Sequence, residues 1–302
     1  MQIIFDRELP SCLPMGKAIS AVRAFFTSAT NGGVISPPRH SLNLENGGLT
    51  FTIGAETSIS RTLGFRVYDT FEHDKGTNTD QIVAVYDSDS GRLKGVVIGG
   101  QLGAIRTAAI CGLALDLLAP KNVSTLVVIG AGHQAYFQVA AALAVRRVER
   151  IDVCGRSSTK AAHLAERVQQ EFGIHTTVST DTENSVRAAD AILCATNSTS
   201  PVIEKKWLKE NVFVSSIGPK FLDAHELPTD IGSGNSILVS DALAQLASYT
   251  TPYFLPSLDR VIPLEDLITP RIDLTKACHR IFLCGGRSGT EVAVANQALN
   301  TN

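Results

Sequence analysis

Residues 125–135, TLVVIGAGHQA, constrain the fold more than any other stretch of the chain. A short apolar run, 126–129, meets Gly130-Ala131-Gly132-His133-Gln134, and an apolar helical pattern follows over 135–148. Strand, tight glycine turn and helix, in that order, open a dinucleotide-binding unit. Gly130 permits the sharp turn, and Gly132 lets the backbone approach a pyrophosphate. Ala135 takes the third small-residue place, where the helix packs on the strand. Free N–H groups and the positive dipole of the helix start favour phosphate there. A second strand arrives on schedule at 151–155. The alternative is a tight turn in an αβ fold that binds nothing.

The end of that second strand bears on the cofactor. In the NAD form of the unit an Asp or Glu here accepts hydrogen bonds from the ribose 2′-OH. This chain instead reads Cys154-Gly155-Arg156-Ser157-Ser158, with no acid. The planar fork of Arg156 suits a 2′-phosphate and can stack on adenine. Ser157 and Ser158 can donate to the same phosphate, and Lys160 adds charge nearby. A carboxylate would repel that phosphate, and its absence removes the obstacle. The expected cofactor is NADP(H) in preference to NAD(H). The alternative is that Arg156 is a solvated residue at a helix start and selectivity is weak.

Composition narrows the class. The chain has 302 residues, is 44% hydrophobic and 19% charged, and carries a formal net charge of −2. Nothing in that balance suggests a nucleic-acid partner. No run of 18 apolar residues predicts a membrane span. No basic segment followed by an apolar one marks a secretory signal at the N-terminus. The six cysteines form no CxxC pair and sit mostly in apolar runs, as buried thiols of a cytoplasmic protein do. No His, Cys and carboxylate cluster has metal-ligand spacing, so no metal is expected.

From residue 125 onward, apolar runs at 126–129, 151–154, 176–178, 191–194, 212–217, 237–239 and 281–284 alternate with helical stretches such as 159–172 and 242–248. The expected architecture is α/β, a Rossmann-type doubly wound parallel sheet. Ligands bind at the carboxyl ends of such strands, which puts Thr196, Asn197, Ile217 and Gly218 on the rim with Gly130, Gly132, His133 and Gln134. The first part reads as a helix over 15–31, then an antiparallel sheet with hairpin signals at Asn46-Gly47 and Asp89-Ser90-Gly91. A helix over 102–118 links the two parts, and a final helix over 290–299 returns to the first. The expected division is 1–118 plus 290–302 for the sheet domain and 119–289 for the dinucleotide domain.

Taken together, SPPRH (36–40), LGFRV (63–67), LGAIRTAA (102–109), the glycine turn, CATNSTSPV (194–202), SSIGPKFLDAHELP (215–228) and GTEVAVA (289–295) resemble the ornithine cyclodeaminase/μ-crystallin family over nearly the whole chain. The resemblance implies a substrate-binding sheet domain that also forms a homodimer, joined to a Rossmann domain. It implies a small carboxylate-bearing imino or amino acid as substrate. Members include cyclodeaminases, alanine dehydrogenases, ketimine and cyclic-imine reductases, and a hormone-binding crystallin.

The resemblance also implies site residues. Arg39 follows Pro37-Pro38 where the family grips the substrate carboxylate, a task suited to a guanidinium fork; the alternative is a surface arginine. Arg106 lies in an otherwise apolar helix, and a buried charge needs a partner. The family gives it the substrate carboxylate, and the alternative is an ion pair with a residue such as Asp69 or Glu72. Thr107 adds a hydroxyl for cofactor or substrate. Arg66 stands where the family usually has a lysine, which keeps the charge but makes a poor proton shuttle. Lys220 stands where cyclodeaminases carry an aspartate, which counts against cyclodeaminase chemistry; it is either catalytic or a charge on the loop rim. The Gly99-Gly100 pair would let backbone line the pocket, and His225 and Glu226 read as helix-start structure.

The reading is therefore an oxidoreductase acting on a C=N bond, an NADP(H)-dependent reductase of a small α-imino acid. Arg39, Arg66 and Arg106 bind the carboxylate, and Arg66 and Lys220 are the candidate catalytic cations. A cyclodeaminase or alanine-type dehydrogenase is the second reading, and a non-catalytic NADPH-dependent binder the third.

Overall fold

The structure, a computed structural model, describes residues 1–71, 81–269 and 272–300. In chain order its main elements are β1 (Gln2–Phe5), α1 (Leu9–Cys12), α2 (Met15–Ala29), β2 (Val34–Ile35), β3 (His40–Leu44), β4 (Gly47–Glu56), β5 (Thr62–Asp69), β6 (Ile82–Asp87), β7 (Leu93–Ile98) and α3 (Gln101–Leu118). There follow β8 (Thr125–Ile129), α4 (His133–Val145), β9 (Arg150–Cys154), α5 (Ser158–Phe172), β10 (His175–Ser179), α6 (Thr182–Ala188), β11 (Ala191–Cys194) and β12 (Val212–Ser216). The chain ends with β13 (Lys220–Phe221), β14 (Ala224–His225), β15 (Ser236–Ser240), α7 (Leu243–Ala247), β16 (Val261–Pro263), β17 (His279–Leu283) and α8 (Thr290–Leu299).

The chain forms two compact units, Met1–Ala109 with Gly286–Asn302, and Ile110–Gly285. The first holds a seven-stranded sheet in the order β1-β7-β6-β5-β4-β2, with β3 also on β4. Its hairpins are antiparallel, but β1, which no alternation in the sequence flagged, runs parallel to β7. In β4 the usual alternation is inverted: Thr50 and Thr52 are buried while Leu49, Phe51 and Ile53 are exposed. The buried side of the sheet carries α8, which packs on α2 and on β4 to β7. The N-terminus of α3 is capped from a distance. Asp6 accepts from the N–H groups of Gly100 (2.8 Å) and Gln101 (3.1 Å). Gly99, at φ +125°, leaves the space its side chain would fill to that carboxylate, so the room there serves the cap rather than a pocket.

The second unit is the doubly wound sheet read from the sequence. Its eight strands run β10-β9-β8-β11-β12-β17-β15-β16, all parallel. Residues 126–129 of β8 are all buried, as a central strand covered on both faces must be. Around it α5 shows the ordinary economy of a surface helix. Ser157 caps its start, Ala161, Leu164, Ala165 and Val168 face inward, and Gly173 ends it at φ +69°. The strand order reverses between β8 and β11, the place where such sheets bind ligands. α3 is long and apolar enough to cross a membrane by length and composition, yet most of it is buried inside the protein.

Candidate functional site

The glycine turn lies at that reversal point. Gly130 has φ +110°, and a side chain on it would overlap the carbonyl of Ala195, so β8 and the β11 loop meet only because it is glycine. Gly132 caps α4 without any side-chain cap, and nothing lies within 4 Å of where its Cβ would be. The first-turn N–H groups of α4 therefore open onto a cleft of about 750 Å³. Gly130, Gly132, His133, Gln134, Arg156, Ser157, Lys160, Thr196, Asn197 and Ile217 line it. The sequence puts the glycine turn, Thr196, Asn197 and Ile217 on one rim and reads Arg156, Ser157 and Lys160 separately at the end of β9; the fold brings the two groups together around this cleft.

The remaining residues of that set stand elsewhere. Ser158 opens α5 and Gly218 follows Ile217, neither among the lining residues. Thr107 belongs to the first unit and donates its hydroxyl to the Gly103 carbonyl of its own helix at 2.9 Å. The Ser157 hydroxyl is partly committed too, accepting from Lys160 N–H at 3.3 Å to cap α5. The exposed ring of His133 packs edge-on against Phe137, with centroids 5.1 Å apart.

Two buried charges organise the far rim of the cleft. Glu226 is fully buried, and no helix starts there; it follows β14, which pairs with β13 as a small hairpin. Its carboxylate accepts from Thr196 N–H and hydroxyl, Ser216 hydroxyl and Gly218 N–H. Nothing in the local sequence signals this role, because its partners come from the ends of β11 and β12. Lys220 is buried rather than a charge on the loop rim, 6% exposed, with Nζ donating to the Gly218 carbonyl at 2.7 Å.

In the first unit the three arginines converge. Arg39 Nη2 donates to the Gly286 carbonyl at 3.0 Å, and Nη1 reaches the Tyr68 hydroxyl at 3.4 Å. Arg66, on β5, stacks over the Tyr68 ring at 4.3 Å and donates to Gln81. Arg106, on α3, pairs with Glu291 of α8 at 2.7 Å, and Arg66 lies 3.6 Å from the same oxygen. That pairing resolves the question of Arg106's partner. Glu291, not Asp69, meets it, and Glu72 lies outside the described residues. Gly286, at φ +75°, has room for no side chain, since its Cβ would come 2.6 Å from Arg106 and 2.9 Å from Arg39.

Electrostatics follow from this crowding. Arg66, Arg106 and Glu291 are 8%, 4% and 1% exposed. Burial, reinforced by Arg106, pulls the Arg66 guanidinium down to about 10. Burial alone would raise the Glu291 carboxyl, but Arg106 and Arg66 hold it below the usual carboxylate range. Two buried guanidinium groups thus share one carboxylate, a surplus of one positive charge before Arg39 is counted. Arg106 Nε and Nη1 and Arg66 Nε are buried donors with no hydrogen-bond acceptor in the structure. A surplus of positive charge of this kind suits a small anion with a planar carboxylate; Glu291 Oε2 is likewise buried without a hydrogen-bond partner. Among the described residues no group of His, Cys, Asp and Glu side chains forms a metal site.

The chain is 31% identical over 251 residues to Δ1-pyrroline-2-carboxylate reductase of Bacillus cereus, covering 82% of this chain and 77% of that one. It is 24% identical over 242 residues to ketimine reductase mu-crystallin of Macropus fuliginosus, covering 78% and 76%. The fold matches that of Δ1-pyrroline-2-carboxylate reductase from Thermococcus litoralis, solved with NADH and L-proline. The TM-score there is 0.86 at 22% identity, covering 100% of this chain and 97% of the other. The model of the ornithine cyclodeaminase/mu-crystallin family matches residues 7–297, and the chain belongs to that family.

Proposed function

We propose that the protein is an NADP(H)-dependent reductase of the C=N bond of a small α-imino acid. The observation that carries this reading is the pair Arg66 and Arg106 sharing Glu291, with buried donors left over for a substrate carboxylate. Arg39 adds a third guanidinium to the grip. Relatives whose names record pyrroline-2-carboxylate and ketimine reduction support the substrate class.

The cleft of the second unit fits a dinucleotide. The open space over Gly132 and the uncapped start of α4 suit a pyrophosphate, and a Cβ at residue 132 would project into that space. Arg156, Ser157 and Lys160, with no acid among residues 154–158, suit a 2′-phosphate and support NADP(H) over NAD(H). When bound, the nicotinamide supplies the hydride that reduces the imine carbon. The chain's own contribution is to hold the carboxylate, exclude water and manage charge. Arg66 stays charged at neutral pH and acts electrostatically. Lys220 has three donors and spends one on the Gly218 carbonyl, which leaves an N–H that would give its proton to the substrate nitrogen.

A homodimer belongs to the same reading. Leu49, Phe51, Ile53 and Leu63 are 37–46% exposed on one face of the sheet in the first unit. An apolar face of that kind on a soluble chain is covered by another surface, here a second copy.

The test is absorbance at 340 nm with purified protein, NADPH or NADH, and a panel including Δ1-pyrroline-2-carboxylate and Δ1-piperideine-2-carboxylate. NADPH oxidation with one of these supports the reading. Cofactor binding without oxidation on any imino acid moves the assignment to the cyclodeaminase or binder alternatives, which an ammonia assay with ornithine separates.

A further inference from the structure

The buried Glu226 carboxylate ties together two loops that line the cleft. Oε2 accepts from Thr196 N–H at 3.0 Å and from the Thr196 hydroxyl at 2.8 Å. Oε1 accepts from Gly218 N–H at 2.6 Å and from the Ser216 hydroxyl at 2.8 Å. Each oxygen therefore holds one backbone N–H, one from the loop after β11 and one from the loop after β12. Gly218 is gripped from both sides, because Lys220 Nζ donates to its carbonyl at 2.7 Å. The Thr196 hydroxyl also accepts from Ser198 N–H at 3.2 Å, so both its N–H and its hydroxyl are engaged. What Thr196 offers the glycine turn is its methyl, 3.2 Å from where a Cβ on Gly130 would be.

In a doubly wound sheet the phosphates sit at the first glycine turn and the adenosine ribose at the end of the next strand. The other nucleoside extends over the strands beyond the reversal, here β11 and β12. Thr196 and Ile217 line the cleft on that side.

We propose that Glu226 is the positioning residue for the nicotinamide end of the cleft. It fixes the spacing of the two loops by engaging the N–H groups of Thr196 and Gly218 and the hydroxyls of Thr196 and Ser216. This inference rests on the cofactor reading of the cleft given above. The chemistry makes it sharply testable. Glutamine preserves length, yet whichever way its amide is turned, an NH₂ faces either Thr196 N–H or Gly218 N–H. Glu226→Gln must release one of the two loops.

The experiment compares direct binding of NADPH and of 2′-phospho-ADP-ribose, which lacks nicotinamide, to the full-length wild type and Glu226→Gln by calorimetry. The expected result is a Kd for NADPH raised about tenfold or more, with 2′-phospho-ADP-ribose changed by less than about twofold. Equal losses for both ligands would mean a merely structural residue and overturn the proposal, as would no loss for either. Should Glu226→Gln fail to fold, Thr196→Val removes one bond of the same strap. It is expected to raise the NADPH Kd about threefold with the same selectivity, and an unselective or absent effect overturns the proposal. A wild type that binds neither ligand refutes the cofactor reading itself, an outcome visible without any variant.

Discussion

Arg106 Nη2 lies 2.7 Å from Glu291 Oε1, a buried ion pair between residues 185 apart in the chain. Removing the carboxylate leaves Arg66 and Arg106 buried with no shared anion. Glu291→Gln should cost about 3 kcal/mol of stability. A small carboxylate such as proline should recover more of its thermal midpoint than it adds to the wild type. Calorimetric melts with and without proline check this; a variant as stable as the wild type would remove Glu291 from the architecture of the cluster.

Gly103 makes room for a specific side chain. A Cβ there would collide with Arg66 Nη2. Gly103→Ala should raise the substrate KM about tenfold by displacing the guanidinium. The slimmer ammonium in Arg66→Lys should relieve the clash, so the double variant should bind better than the sum of the two single changes predicts. A double-mutant cycle on KM measures that coupling, and simple additivity would refute it.

Acid should act on Glu56, the carboxylate that gathers the turn between β4 and β5. It accepts from Ser28 Oγ (2.6 Å), Ser58 N–H (2.7 Å), Ile59 N–H (2.8 Å) and Ser60 N–H. Burial pushes its carboxyl up, but the hydrogen bonds win and hold it at about 2, below the ordinary 4.5. A lowered folded-state value means stability that is complete above the ordinary value and lost as pH falls from about 4.5 to about 2. The contribution is about 3 kcal/mol. Urea melts of wild type and Glu56→Gln should differ most at pH 6 and converge near pH 2; a constant gap across that range would refute the assignment.

Arg156 is the residue on which cofactor choice turns. Arg156→Ala should weaken NADPH binding by about 2 kcal/mol, close to thirtyfold, and leave NADH within about twofold. Fluorescence titration of both cofactors reads the difference directly. An equal loss for the two would point to a structural arginine.

The exposed apolar face of β4 makes the final prediction. Phe51→Asp places a charge in the middle of it, and the homodimer proposed above should then sediment as a monomer with no loss of folded helix content. A dimer that survives the change assembles through another surface.

Much of the second unit could be read in advance because its signals are local. Four consecutive buried residues in β8, a glycine turn and a capped amphipathic α5 each announce themselves within about fifteen residues. Arg106 could be flagged as needing a partner, but not given one, since Glu291 arrives from the last helix. Glu226 escapes a local reading for the same reason: its four donors come from the ends of two other strands, and a lone glutamate in HELP looks like a helix start. In β4 the period of two is legible in the sequence but the side that faces the core is not: the threonines face in, while Leu49, Phe51 and Ile53 face out.

The cap that Asp6 places on α3 ties the sixth residue of the chain to the helix that carries Arg106. Loss of the Asp6 carboxylate would uncap the helix and loosen the guanidinium one and a half turns along it. A change at Asp6, remote in sequence from the arginine cluster, should therefore register in the packing of Arg106.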